Sequence, residues 1–237
     1  MPTVGDMVSP AAVVFDLDGT LIDSRGDIVA ALNHALLATE RQPLPAIAIV
    51  GLIGDGARAL CARAAQIPEA SAETEELVRL FVDYYEAHPV DLSRWAPGAV
   101  QALEDLAEIT DLRLAICTNK PRSTTDAVLA ALGVRTRFSA IYGGGDGPER
   151  KPAPGPLLAV AERLGVLPRD IVMVGDGTQD IECARRAQAR SVAVAAGFTP
   201  RSQLLAARPD VLVDTLADLP GVVRRWRDAT AKFSVRG

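Results

Sequence analysis

Hydrophobic positions in this chain follow two rhythms, and the places where each stops carry most of the information. Ala12 to Phe15 is an unbroken apolar run rich in β-branched residues, the pattern of a strand buried on both faces. It ends on a carboxylate, Asp16. Between Asp23 and Ser93 no strand signal appears. Ile28, Leu32, Ala35 and Leu36 mark one amphipathic helix, Ala57, Leu60, Cys61 and Ala64 a second, and Leu77, Leu80, Phe81 and Tyr84 a third. Their three-to-four spacing is that of one helix face. Pro43 and Pro45 separate the first two helices, and His88-Pro89 closes the block.

From Trp95 onward helices and short apolar strands alternate. The pattern predicts a helix from Pro97 to about Glu108, a strand from Leu112 to Cys117, a helix to Leu132 and a strand from Phe138 to Tyr142. A helix to Leu164 follows, then a strand from Ile171 to Val174, a helix through Ala187, strands at Ser191 to Ala195 and Val211 to Val213, and a last helix. Gly133 and Gly165 act as helix stops. Such alternation argues for an α/β fold, a doubly wound parallel sheet. The helical block then reads as an inserted all-helical lid. The expected division is a core of residues 1–22 and 94–237 and a helical domain of 23–93.

Composition narrows the partners. A net charge of -5 supplies no electrostatic reason to bind nucleic acid or an anionic membrane. Any anionic substrate then needs a local positive site. Lysine is scarce, with only Lys120, Lys151 and Lys232, so each is worth inspecting. Cys61, Cys117 and Cys183 form no CxxC pair and lie in apolar surroundings, which favours reduced thiols and a reducing compartment. No signal peptide or membrane-length apolar run is visible. The expectation is a cytoplasmic protein, monomer or homodimer.

Asp16 and Asp18 project to the same side of an extended chain, and Gly19 lets the backbone turn immediately afterwards. Two carboxylates facing one small space imply either a metal ion or divided acid and base roles. Thr118 and Asp176 stand at the carboxyl ends of two other predicted strands, the edge where doubly wound sheets bind ligands.

Asp16-Leu17-Asp18-Gly19-Thr20, Thr118-Asn119-Lys120, Lys151-Pro152 and Gly175-Asp176 with Asp180 resemble, in order, the four motifs of the haloacid dehalogenase superfamily. The helical block resembles that superfamily's first type of cap. Nearly the whole chain is similar to its phosphoglycolate phosphatase branch, through Gly51 to Ala57, Thr118 to Pro121, Gly143 to Asp146 and Lys151 to Leu158. The resemblance implies a five-stranded parallel core in the order third, second, first, fourth, fifth, with a crevice between the Asp16 and Asp176 strands. It also implies a phosphatase of small phosphorylated metabolites that uses Mg²⁺, with 2-phosphoglycolate the leading substrate. In that reading Asp16 is the nucleophile and Asp18 the general acid and base. Thr118 and Lys151 meet the phosphoryl oxygens, and Gly19 and Asn119 lie beside them. Asp16, Asp176 and the Asp18 carbonyl hold the metal, with Asp180 behind them.

Two departures stand out. Gly177 replaces the usual serine, so that a hydrogen bond near the metal is either missing or supplied by Thr178, and Gln188 replaces a glycine at a helix end. In the cap, Gly54, Asp55, Gly56 and Arg58 are either a receiver for a substrate carboxylate or only a helix cap with an exposed arginine. Lys120 reads as solvated in preference to supporting Thr118. Asn119 reads as shaping its loop, His34 as packed among apolar neighbours and His88 as structural.

Among alternatives, a sugar-phosphate mutase shares the core residues and differs in how its cap shields the phosphorylated aspartate. A dehalogenase has no use for Asp18, and a phosphonate hydrolase needs a cap lysine that this chain lacks. A phosphometabolite-sensing binding protein is the non-enzyme alternative, and a phospho-receiver domain would be about half as long.

Overall fold

Ala12–Phe15 (β1) is fully buried at the middle of the main sheet of a computed structural model that describes residues 9–234. The remaining strands are Ile22–Asp23 (β2), Arg94–Trp95 (β3), Arg113–Pro121 (β4), Ala140–Gly144 (β5), Ile171–Gly175 (β6), Arg190–Val194 (β7) and Val211–Val213 (β8). The main sheet runs β5-β4-β1-β6-β7-β8, and every neighbouring pair in it is parallel. This extends the five-stranded order implied by the resemblance by one edge strand: Val211–Val213, a strand the apolar pattern itself predicts, pairs with β7 as a sixth member. Phe15 aligns with Ile116 on one side and Val174 on the other, so the three chains reach the carboxyl edge together.

Helices Ala99–Ala107 (α5), Arg122–Ala131 (α6), Gly155–Leu164 (α7), Thr178–Ala187 (α8), Arg201–Ala207 (α9) and Leu219–Ser234 (α10) follow the insert described below. The two-residue period of β1 divides its side chains between two apolar layers. Val13 and Phe15 join the core shared with Leu103, Leu106, Val222 and Val223. Ala12 and Val14 join Leu157, Val160, Cys183 and Ala184. Burial of each large side chain contributes about 1.5–3 kcal/mol, so the strand that carries Asp16 is among the most firmly held parts of the chain.

Between β2 and β3, which pair antiparallel, run Arg25–Ala38 (α1), Ala46–Val50 (α2), Ala57–Ala65 (α3) and Ala72–Ala87 (α4). The apolar faces expected from spacing are present: Ile28, Leu32, Ala35, Leu36, Leu77 and Phe81 are buried in a core continuous with that of β1. Ser71 caps α4 by accepting from the Thr74 amide at 3.1 Å. Buried Asp27 accepts from the Leu92 amide (2.9 Å) and the Ser93 amide (2.8 Å), tying the start of the helical segment to its end. The short helices α2 and α9 had no sequence signal, because five and seven residues are too few to display a helical period.

Two expectations are corrected. Thr118 does not follow its strand but lies within β4, where three residues, Thr118 to Lys120, oppose a single one on β5 and the register shifts. That bulge turns the motif out of the ladder. His34 is exposed and stacks on Tyr84 with ring centroids 4.5 Å apart, not packed in the core. At the expected helix-end glycine, Gln188 adopts the left-handed conformation itself (φ 60°). The outermost stretches of the expected core segments, 1–8 and 235–237, lie outside the described residues. No described helix is long and apolar enough to cross a membrane.

Candidate active site

Asp16 leaves β1 between β4 and β6, where successive connections depart to opposite sides of the sheet. Its Oδ1 is buried and makes no hydrogen bond, although the Lys151 ammonium stands 3.0 Å away. Lys151 is 1% exposed. Its Nζ donates to Asp180 Oδ1 at 2.5 Å and to the Cys117 carbonyl at 2.7 Å. Burial works against the ammonium, but the Asp16 and Asp180 carboxylates outweigh it and hold its pKa well above the usual lysine range. Lys151 is therefore a fixed positive charge between two carboxylates.

Asn119 places that lysine. Its Nδ2 donates to the Lys151 carbonyl and to the Gly54 carbonyl, both at 3.0 Å, while its Oδ1 accepts from the Lys151 amide at 2.9 Å. One amide side chain thus joins β4, the Lys151 loop and the helical insert. Gly56 permits the approach: its φ is +87°, and a Cβ there would lie 2.7 Å from the Asn119 carbonyl oxygen.

Asp176 follows β6. Its carboxylate accepts from Thr20 Oγ1 at 2.8 Å and from the Phe198 amide at 2.7 Å. Burial, with Asp16 and Asp180 close by, pushes its carboxyl up to about 7. Any side chain at Gly19 (φ +86°) would collide with this carboxylate, so the glycine is required by close approach as well as by the turn. Carboxylate oxygens of Asp16, Asp176 and Asp180 all lie within 4.8 Å of one another. Asp180 is already committed to Lys151 through one oxygen and to the Gly177 amide through the other, at 3.0 Å. Asp16 offers an oxygen with no hydrogen bond beside Asp176, and all the donors are hard oxygens. That set fits a hard divalent cation such as Mg²⁺.

Asp18 sits apart from the ammonium of Lys151. Ser24 Oγ donates to its Oδ1 at 2.6 Å, and Lys120 Nζ lies 3.0 and 3.2 Å from its two oxygens. Here the reading of Lys120 as solvated is overturned. The side chain is buried and its ammonium rests 3.8 Å from the centre of the Tyr85 ring on α4. Burial alone would lower its pKa, but Asp18 and Tyr85 more than offset this and leave it raised. The β4 strand continues through Thr118, which carries residue 120 inward beneath the helical insert.

A cleft joins these groups. The core contributes Asp16, Asp18, Thr118, Asn119, Lys120 and Asp176, and the insert contributes Ile28, Ile53, Gly54, Gly56, Ala57, Leu60 and Phe81. No charged side chain of the insert is among them. Of the two readings of the Gly54–Arg58 segment, the arrangement matches a helix start with an exposed arginine. Arg58 is exposed, donates to the Glu69 carbonyl and faces Glu75, while Asp55 pairs with Arg63. The side of α3 that lines the cleft carries Ala57 and Leu60, three residues apart, and the rotation of about 100° per residue turns position 58 away from that side. Thr178, a candidate to replace the missing serine at 177, is exposed at the start of α8. The space beside Gly177 is taken by the Gln179 side chain, which also lines the cleft and lies against Gly54. Gln179, Tyr85, Ser24 and Phe198 were not singled out from sequence. Only the glycine at 177 hinted at a neighbour filling its place.

Residues 13–194 match the sequence profile described as haloacid dehalogenase-like hydrolase, and the chain belongs to that family. Among curated relatives, the phosphoglycolate phosphatase of Agrobacterium fabrum is 36% identical over 219 residues, 90% of this chain and 91% of the relative. That of Cereibacter sphaeroides is 39% identical over 192 residues, covering 78% and 85% respectively. A crystal structure of a predicted phosphoglycolate phosphatase from Haemophilus somnus superposes with a TM-score of 0.80 at 30% identity, covering 91% of this chain and 99% of that one.

Proposed function

We propose that this phosphoric monoester hydrolase is a Mg²⁺-dependent phosphatase of small phosphorylated metabolites that works through a phosphorylated Asp16. The observation that carries this reading is the unbonded Asp16 oxygen, buried at the strand tip beside the Asp176 carboxylate and the captive Lys151 ammonium. A nucleophile needs a free lone pair, and this oxygen has one. Names of the relatives support 2-phosphoglycolate as the leading substrate. We read residues 23–93 as a cap whose apolar wall closes the leaving-group side and limits access of water.

Asp16 and Asp176 would hold the cation, joined by the Asp18 carbonyl. A bound cation offsets the repulsion between carboxylate and phosphate dianion and polarises the phosphoryl oxygen. Asp16 attacks phosphorus as the ester P–O bond breaks, and Asp18 gives its proton to the departing alkoxide. Water then attacks the phosphorus of the aspartyl-phosphate, Asp18 takes the proton, and Asp16 is released with inorganic phosphate. Lys151 and the Thr118 hydroxyl stabilise charge on the transferring group. The cleft lining of Ile53, Ala57, Leu60 and Phe81 suits a small leaving group.

A phosphate-release screen over phosphorylated metabolites, with and without Mg²⁺, tests the proposal. The expected outcome is turnover that requires the metal and disappears in Asp16→Asn while substrate binding persists. A fully active Asp16→Asn enzyme would refute the covalent route. An isomerised phosphosugar formed without free phosphate would replace it with mutase chemistry.

A further inference from the structure

We propose that Lys120 is a positioning residue for Asp18, itself held in place by the Tyr85 ring, so that the acid-base step depends on packing of the helical insert against the core. The inference rests on the assignment of Asp18 as acid and base made above. Three observations carry it. Lys120 Nζ reaches both oxygens of Asp18, at 3.0 and 3.2 Å, which fixes the orientation of the carboxylate as a single contact could not. The far side of the ammonium is closed by the Tyr85 ring face at 3.8 Å. The Tyr85 hydroxyl is buried, makes no well-formed hydrogen bond and lies near the same ammonium, so the whole side chain is turned to Lys120.

The three residues come from three separate elements. Asp18 lies just past β1, Lys120 within β4 and Tyr85 in α4. Lys120 lines the cleft, while Lys151 pairs with Asp16 and Asp180. Lys120 is nevertheless enclosed, its side chain being 3% exposed. A substrate carboxylate could reach it only by displacing Asp18. Its role is therefore exerted through Asp18, and the reaction should feel it only where a proton must be delivered or removed.

The test separates leaving groups. An alkyl phosphate that the wild type turns over needs a proton on its departing oxygen, whereas 4-nitrophenolate leaves without one. Single-turnover phosphoryl transfer is measured for both esters in wild type, Lys120→Met and Tyr85→Leu. For Lys120→Met the expected loss is about 30-fold or more with the alkyl ester, at a KM within about threefold, and within about threefold for the 4-nitrophenol burst. Tyr85→Leu should show the same selective pattern in weaker form. Equal losses with both esters would reduce Lys120 to a structural residue, and unchanged alkyl transfer would overturn the proposal outright. A rise in KM confined to carboxylated substrates would assign Lys120 to substrate binding instead. Should Lys120→Met not fold, Tyr85→Leu is judged by the same criteria. A wild type inactive on every phosphate ester would end the proposed function instead, a result distinct from any of these.

Discussion

Replacing Lys151 by methionine keeps the length of the side chain and removes only its charge. In the native protein that charge is surrounded by Asp16, Asp180 and the Cys117 carbonyl, with 1% of the residue exposed. Loss of one partner from a buried ion pair typically costs about 3–5 kcal/mol, because the remaining charge stays buried and uncompensated. For a chain of this size that corresponds to a fall in Tm of roughly 6–20 °C. The pH dependence has a definite sign. Burial pushes the Asp180 carboxyl up to about 6 even while Lys151 pulls it down, so it rises further in the variant. A carboxyl with a higher pKa folded than unfolded binds an extra proton in the folded state, so stability falls as pH rises through that interval. Lys151→Met should therefore approach wild type near pH 5 and show its full deficit near pH 8. Urea unfolding in metal-free buffer at both pH values measures this. A variant within about 1 kcal/mol of wild type at pH 8, or one whose deficit grows on acidification, would contradict the reasoning.

Metal removal gives a related result. With Asp176 pushed up to about 7 by burial and by its acidic neighbours, the metal-free protein should lose up to about 4 kcal/mol between pH 4 and 7. Added Mg²⁺ should then raise Tm more at pH 7.5 than at pH 5, and thermal melting with and without the ion checks it. In the insert, Gly56→Ala introduces a Cβ 2.7 Å from the Asn119 carbonyl oxygen at a φ of +87°. Displacement of Asn119 misplaces Lys151, and a shift of about 1 Å at such a site can reduce kcat by about 100-fold. Arg58→Ala, in contrast, removes only exposed contacts and should leave kcat/KM within about twofold, as steady-state assays on the pair will show.

Much of this site was legible before any coordinates. The run from Ala12 to Asp16 places a carboxylate at the end of a doubly buried strand, because only a central parallel strand has apolar neighbours on both faces. Gly19 signalled the turn that Asp176 in fact requires. Helical spacing located α1, α3 and α4, since burial on one face imposes a period that local sequence displays. Sequence left two readings of Arg58 open because a one-residue step around a helix changes which neighbour a side chain meets, and sequence does not report where the helix axis points.

Local sequence determined the strands of the main sheet, the longer helices and which charged groups stand at the ends of those strands, since backbone preferences and burial periods act over a few residues. The tertiary structure alone decided that Lys120 turns inward to Asp18 beneath Tyr85, and that Gln179 occupies the space beside Gly177. Those contacts join residues about a hundred positions apart or depend on a side chain's chosen direction. Electrostatics and packing between elements fix them, and no pattern along the chain encodes that geometry.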